Sequence, residues 1–91
     1  MKSNQHKINI KFYTKPNCSL CEKARDLIRD FEAAYPLKIE EINILSSLRL
    51  YEKYKHIIPV VVIDDAHLFM SRVDQHAFRK ILRTISTSIK K

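Results

Sequence analysis

The chain has two cysteines, Cys18 and Cys21, and they stand two residues apart in FYTKPNCSLC, residues 12–21. Such a pair can do three kinds of chemistry. It can cycle between dithiol and disulfide, supply half of a tetrahedral zinc site, or share an iron–sulfur cluster with a second chain. A zinc site needs about four ligands. The other soft ligands in the chain are His6, His56, His67 and His76, and none has the usual paired spacing. A cluster would need a second chain, giving an iron–sulfur-bridged dimer. A purely structural pair is the remaining alternative.

The redox reading has a physical basis in where the pair falls. A strand-like run precedes it and a helix-like run follows. The first turn of a helix has unpaired N–H groups and the positive end of the macrodipole. A thiolate there is favoured, so the Cys18 pKa should fall below the free value of about 8.5. Lys15 adds a nearby positive charge. Cys21 comes about one helical turn later, within disulfide reach. Cys18, nearer the tip, would attack a substrate disulfide, and Cys21, further inside, would resolve the mixed disulfide.

Those cysteines need elements to hold them. Ile8, Ile10 and Phe12 alternate with Asn9, Lys11 and Tyr13, which is strand periodicity. Thr14 to Asn17 breaks the strand, with Pro16 and Asn17 as turn residues. From Leu20 the period becomes helical. Leu20, Ala24, Leu27, Ile28, Phe31 and Tyr35 share one face, and Pro36 ends the helix at Tyr35. LKIEEIN (37–43) predicts a second strand. Ser46 or Ser47 caps a short helix to about Tyr54, with Leu48 and Tyr51 inward. PVVVID (59–64) suits a strand buried on both faces. A turn at 64–66 returns HLFM (67–70) as a fourth strand. Asp74 caps a last helix whose apolar face is Ala77, Phe78, Ile81, Leu82, Ile85 and Ile89. Arg79, Lys80, Arg83 and Lys90 form its wet face. This order predicts an α/β fold with a mixed four-stranded sheet and helices on both faces.

The bulk properties narrow the setting. Ninety-one residues suit one domain, with an ordered core over about 8–89. No run of about 18 apolar residues predicts a membrane span. The N-terminus lacks the apolar core of a secretory signal, so a cytoplasmic protein with reduced thiols is expected. The net charge is +7. It gathers at the ends, with Lys2, Lys7, Lys11 and Lys15 near the start and six Lys/Arg against one Asp over 72–91. A basic surface can dock an acidic partner, which leaves an adaptor role as the alternative of a different class. No nucleic-acid motif accompanies the charge, and a monomer is expected.

FYTKPNCSLC resembles the active-site segment of glutaredoxins. HIIPVVVIDDAHLF, residues 56–69, is similar to the segment of glutaredoxins and thioredoxins in which a cis-proline precedes a buried strand and hairpin. The two motifs lie about 40 residues apart in the right order, and the likeness runs from about Ile8 to Ile89. With Ser19 and Leu20 between the cysteines, the chain looks most like the Cys-x-Leu-Cys glutaredoxin-like branch of the thioredoxin-fold superfamily. The resemblance implies a thioredoxin-like fold and a dithiol–disulfide oxidoreductase with no bound cofactor. Cys18 would be the nucleophile and Cys21 the resolving thiol. Pro59 would be the cis-proline facing them, and Ile58 would offer its backbone to an extended cysteinyl substrate. Tyr13 and Lys15 match positions that border the groove. The implied partners are a disulfide-containing protein or a glutathione mixed disulfide, together with a reductase. Glutathione is a possible reductant, but several departures count against it. The family's Gly-Gly pair before the last helix aligns near Phe69 and Met70, and Ile58 replaces the Thr of glutathione-using members. Arg72 could partly replace the missing contacts by meeting the glutathione carboxylate.

Overall fold

The computed structural model describes residues 7–89; Lys2, His6, Lys90 and the side chain of Ile89 lie outside the described residues. The element order is β1 (Ile8–Thr14), α1 (Ser19–Glu32), β2 (Leu37–Asn43), a 3-10 turn (Ile44–Ser46), α2 (Leu48–Tyr54), β3 (Val60–Ile63), β4 (His67–Met70) and α3 (Gln75–Ile89). The four strands form one mixed sheet in the order β2-β1-β3-β4. β1 and β2 run parallel, joined by α1, while β3 is antiparallel to β1 and β4. This is the mixed α/β arrangement that the periodicities predict, and it is consistent with the thioredoxin-like fold that the resemblance implies.

The period-two alternation of β1 sorts its side chains between the two faces. Ile8, Ile10 and Phe12 are buried with Ile28 and Phe31 of α1, Val61 and Ile63 of β3, and Phe78 and Leu82 of α3 in one core. Asn9, Lys11 and Tyr13 point to the other face, where Tyr13 stacks on Tyr54 of α2 with ring centroids 4.6 Å apart. Arg25 ties α1 to β2. Its Nε donates to Glu41 Oε1 at 3.2 Å, its second nitrogen meets Oε2, and its guanidinium lies 5.7 Å from the Phe12 ring centroid. That hydrogen bond holds the Glu41 carboxyl below its usual pKa. Both groups are partly exposed, so the pair adds well under about 1 kcal/mol. Its contribution requires ionised Glu41, so it is present above the unfolded carboxyl pKa of about 4.3 and lost as the pH falls through the lower folded value.

Four local readings change with the structure. Thr14 does not break β1 but is its last residue, paired with Asn43. α1 stops at Glu32, before Tyr35, because the Ala34 and Tyr35 N–H groups both donate to the Phe31 carbonyl and tighten the end into turns. Leu48 does not face inward. It opens α2 just after the Ser47 cap and is 76% exposed. In β3, Val60, Val61 and Ile63 are fully buried, but Val62 is only half-buried, since its neighbour Leu68 lies on the outermost strand.

The chain has no glycine, yet among the described residues Asn17, Asp64, Asp65 and Ser71 adopt positive φ. Asn and Asp tolerate the left-handed region through local hydrogen bonding. The Asp64 side chain instead reaches across to β1, where its Oδ1 accepts the Asn9 N–H at 2.8 Å. Serine at φ 64° is the least suited of the four. Ser71→Gly keeps the backbone N–H and removes the Cβ clash. It should stabilise the fold by about 0.5–1 kcal/mol. A thermal or denaturant midpoint that falls instead would show that the Ser71 side chain holds the kink.

Candidate redox site

Pro16 and Asn17 turn the chain out of β1, and Asn17 at φ 59° delivers Cys18 to the head of α1. Cys18 is the N-cap, with extended backbone, and its Sγ accepts the Cys21 N–H at 3.2 Å. Its carbonyl accepts the Glu22 N–H at 3.1 Å, the first bond of the helical ladder. A sulfur thus stands where a cap oxygen usually does, and it receives an otherwise unpaired donor. Cys18 and Cys21 are disulfide-bonded, with Cα atoms 5.2 Å apart. Their environments differ sharply. Cys21 is 1% exposed and belongs to the core, whereas Cys18 is half-buried and packs against the core from outside. An attacking thiol needs access, and a resolving thiol needs only the other sulfur.

The other sequence-derived residues are placed as follows. The Ile58–Pro59 peptide bond is cis, and Pro59 is buried. Ile58 sits just before β3, half-buried. Among the described residues its N–H and C=O have no backbone hydrogen-bond partner. On either side, the Ile57 and Pro59 carbonyls both accept the Ser71 N–H at 2.9 Å, so the segment before α3 is pinned to the cis-proline loop. Lys15 follows β1, half-buried. Tyr13 is committed to its stack on Tyr54 and lies on the sheet face opposite Phe12.

Arg72 is exposed, and it shares a cavity of about 340 Å³ with Leu20, Lys23, Ser71 and Asp74. Leu20 is the residue between the cysteines, so this cavity borders the first turn of α1. Tyr13, Lys15 and Ile58 do not line it. Sequence reasoning places Ser71 beside Arg72 near the start of the last helix, but it missed the backbone conformation of Ser71 and the place of Lys23. Lys23 looked like one more charge on the wet face of α1. Ser71 gave no signal of its left-handed backbone, which falls beside the Phe69–Met70 pair that aligns with the family's glycines.

Among the described residues no three His, Cys, Asp or Glu side chains cluster as a metal site would require. Among the same residues, no helix is long and apolar enough to cross a membrane.

Comparison with known proteins agrees with this geometry. Residues 9–83 match the family model described as Glutaredoxin-like domain (DUF836). A glutaredoxin-like protein of Dictyostelium discoideum, described as a YDR286C homolog, is 36% identical over 89 residues, which cover 91% of this chain and 82% of the relative. The solution structure of protein Ne2328 from Nitrosomonas europaea superposes with a TM-score of 0.71 at 20% identity, covering 90% of this chain and 99% of the other. At that identity the superposition speaks for the fold alone.

Proposed function

The chain belongs to the glutaredoxin-like domain family, and on that premise we propose that it is a dithiol–disulfide oxidoreductase working through Cys18 and Cys21. One observation carries the reading: an accessible cysteine caps α1, accepts the amide of a buried cysteine, and is bonded to it. In the reduced protein the Cys18 thiolate attacks one sulfur of a substrate disulfide. The substrate S–S bond breaks, and the departing thiolate takes a proton. Cys21 then attacks Cys18 Sγ, releases the second substrate thiol, and leaves the Cys18–Cys21 disulfide. Two electrons pass from the pair to the substrate. An external thiol reductant returns them.

The substrates proposed are protein or small-molecule disulfides, glutathione mixed disulfides among them. The unpaired backbone of Ile58 beside Pro59 supports an extended cysteinyl segment docking there as an added strand. Arg72 is proposed to meet an anionic group of the substrate and Lys15 to favour the thiolate. Tyr13 borders the groove as a stacked ring. Glutathione is a weaker donor candidate than a thioredoxin-type reductase, because Phe69 and Met70 carry side chains near where the family's glycines let the tripeptide approach. The cytoplasm is the proposed setting.

The decisive experiment is coupled reduction of a mixed disulfide, with glutathione and its reductase compared against thioredoxin reductase. Turnover is expected, and it should be faster with thioredoxin reductase than with glutathione and its reductase. Failure with both would remove the enzymatic reading. A second measurement addresses the assignment of roles. Alkylation by iodoacetamide, followed residue by residue against pH, should modify Cys18 at a pH below the free-thiol range and Cys21 only slowly. Equal, slow, high-pH alkylation of both would contradict it.

A further inference from the structure

The two edges of the sheet are built differently. The β2 edge carries Lys38, Glu40 and Glu41 among its seven residues, and such charges discourage strand pairing. The β4 edge, HLFM, has no Lys, Arg, Asp, Glu or Pro. Leu68 and Met70 project from one face of it, 56% and 50% exposed, while Phe69 on the other face packs 5.7 Å from the Phe78 ring.

The hydrogen-bond phase of β4 follows from its register. The Ser71 N–H bonds the Pro59 carbonyl, so Val61↔Phe69 and Ile63↔His67 are the bonded pairs in step with it. Leu68 and Met70, opposite Val62 and Val60, therefore turn their N–H and C=O groups away from β3. Among the described residues both N–H groups and the Leu68 C=O lack a partner, while the Met70 C=O accepts the Arg72 N–H at 2.6 Å and has one lone pair left to share.

We propose that this edge is a self-association surface at which β4 pairs antiparallel with β4 of a second copy, making a continuous eight-stranded sheet. One register satisfies every outward group. It is centred on Phe69, with Leu68 opposite Met70 of the other copy and Met70 opposite its Leu68. Four interchain hydrogen bonds then form. A two-fold axis perpendicular to the sheet keeps the faces matched, so the four exposed Leu and Met side chains meet in one apolar stripe. Charge selects a second copy over an unrelated strand. The pairing brings the Asp64–Asp65 turn of each copy to the Ser71–Arg72 kink of the other. Asp65 and Arg72 are exposed and have no ion-pair partner among the described residues. The contact is short, so the dimer is weak and reversible, and it departs from the monomer expected of the sequence. It does not rest on the redox reading.

The test uses the full chain under reducing conditions, so that interchain disulfides play no part. Sedimentation equilibrium from micromolar to millimolar protein should show a monomer–dimer equilibrium. The Leu68 and Met70 amides should gain exchange protection as concentration rises, while the Phe69 amide is protected throughout. Met70→Pro removes an outward N–H that β3 does not use, and it should weaken the dimer about tenfold or more. Leu68→Lys should do the same, and it is read in place of Met70→Pro if that variant unfolds. A monomer at every concentration would overturn the proposal. So would a dimer that both variants leave intact while the Leu68 and Met70 amides exchange freely.

Discussion

Cys18→Ser is expected to lower the proposed disulfide reduction to the uncatalysed background, a loss of about a thousandfold or more, while the fold should melt close to the parent's reduced form. The hydroxyl can still accept the Cys21 N–H as an N-cap, so the helix keeps its start. What disappears is the attacking thiolate. Cys21→Ser fails differently. The first displacement still occurs, because Cys18 remains accessible, but resolution is lost. A covalent adduct of Cys18 with half of the substrate should then accumulate and be visible by mass spectrometry. External thiol can resolve that adduct slowly, so Cys21→Ser keeps some turnover with small mixed disulfides where Cys18→Ser keeps none. The asymmetry follows from exposure alone: Cys21 is 1% exposed, too deep to attack a bulky substrate first. Equal residual activity in both variants, or an adduct on Cys21, would refute the assignment of roles.

Much of this site is legible in the sequence because it rests on local rules. The strand, turn and helix around Cys18 each follow from short-range pattern, and LKIEEIN and HLFM occupy the segments those patterns mark. Asp74 caps α3 as its residue type suggests, with Oδ1 accepting the His76 N–H at 3.0 Å. What the pattern misses depends on partners distant in the chain. Leu48 has the right spacing to face inward, but no neighbour covers the first turn of α2. Nothing at Ser71 marks a left-handed residue, because the demand comes from pinning its N–H to the Ile57 and Pro59 carbonyls. The cis bond at Pro59 was implied by family resemblance and not by local chemistry, which leaves X–Pro bonds mostly trans. Lys23 gains its place at the cavity only once the 71–74 segment folds over the head of α1.

The largest effect on stability is expected at Phe78, on α3. It is fully buried, and its ring centroid lies 5.3 Å from Phe31 on α1 and 5.7 Å from Phe69 on β4. Three elements therefore share one side chain. β4 is an outer strand with three of its four residues exposed, and α3 presents Arg79, Lys80 and Arg83 to solvent. Phe78→Ala should cost about 3–5 kcal/mol, the usual range for emptying a buried aromatic site. Domains of this size hold about 5–15 kcal/mol in total, so the variant would sit near the folding threshold. Leu48→Ala, an apolar truncation at an exposed position, should move stability by no more than about 0.5 kcal/mol. The pair separates burial from hydrophobicity, since both substitutions shorten an apolar side chain on a helix. Urea titration gives the comparison, with an unchanged slope showing that the midpoint shift reports stability. A loss below about 1 kcal/mol at Phe78 would mean that α3 is not held against the sheet by this aromatic cluster. Because Ser71 and Arg72 are strung between β4 and α3, a partly detached α3 should also loosen the cavity that borders Leu20 in the first turn of α1. Phe78→Leu keeps most of the volume and should restore most of both stability and turnover.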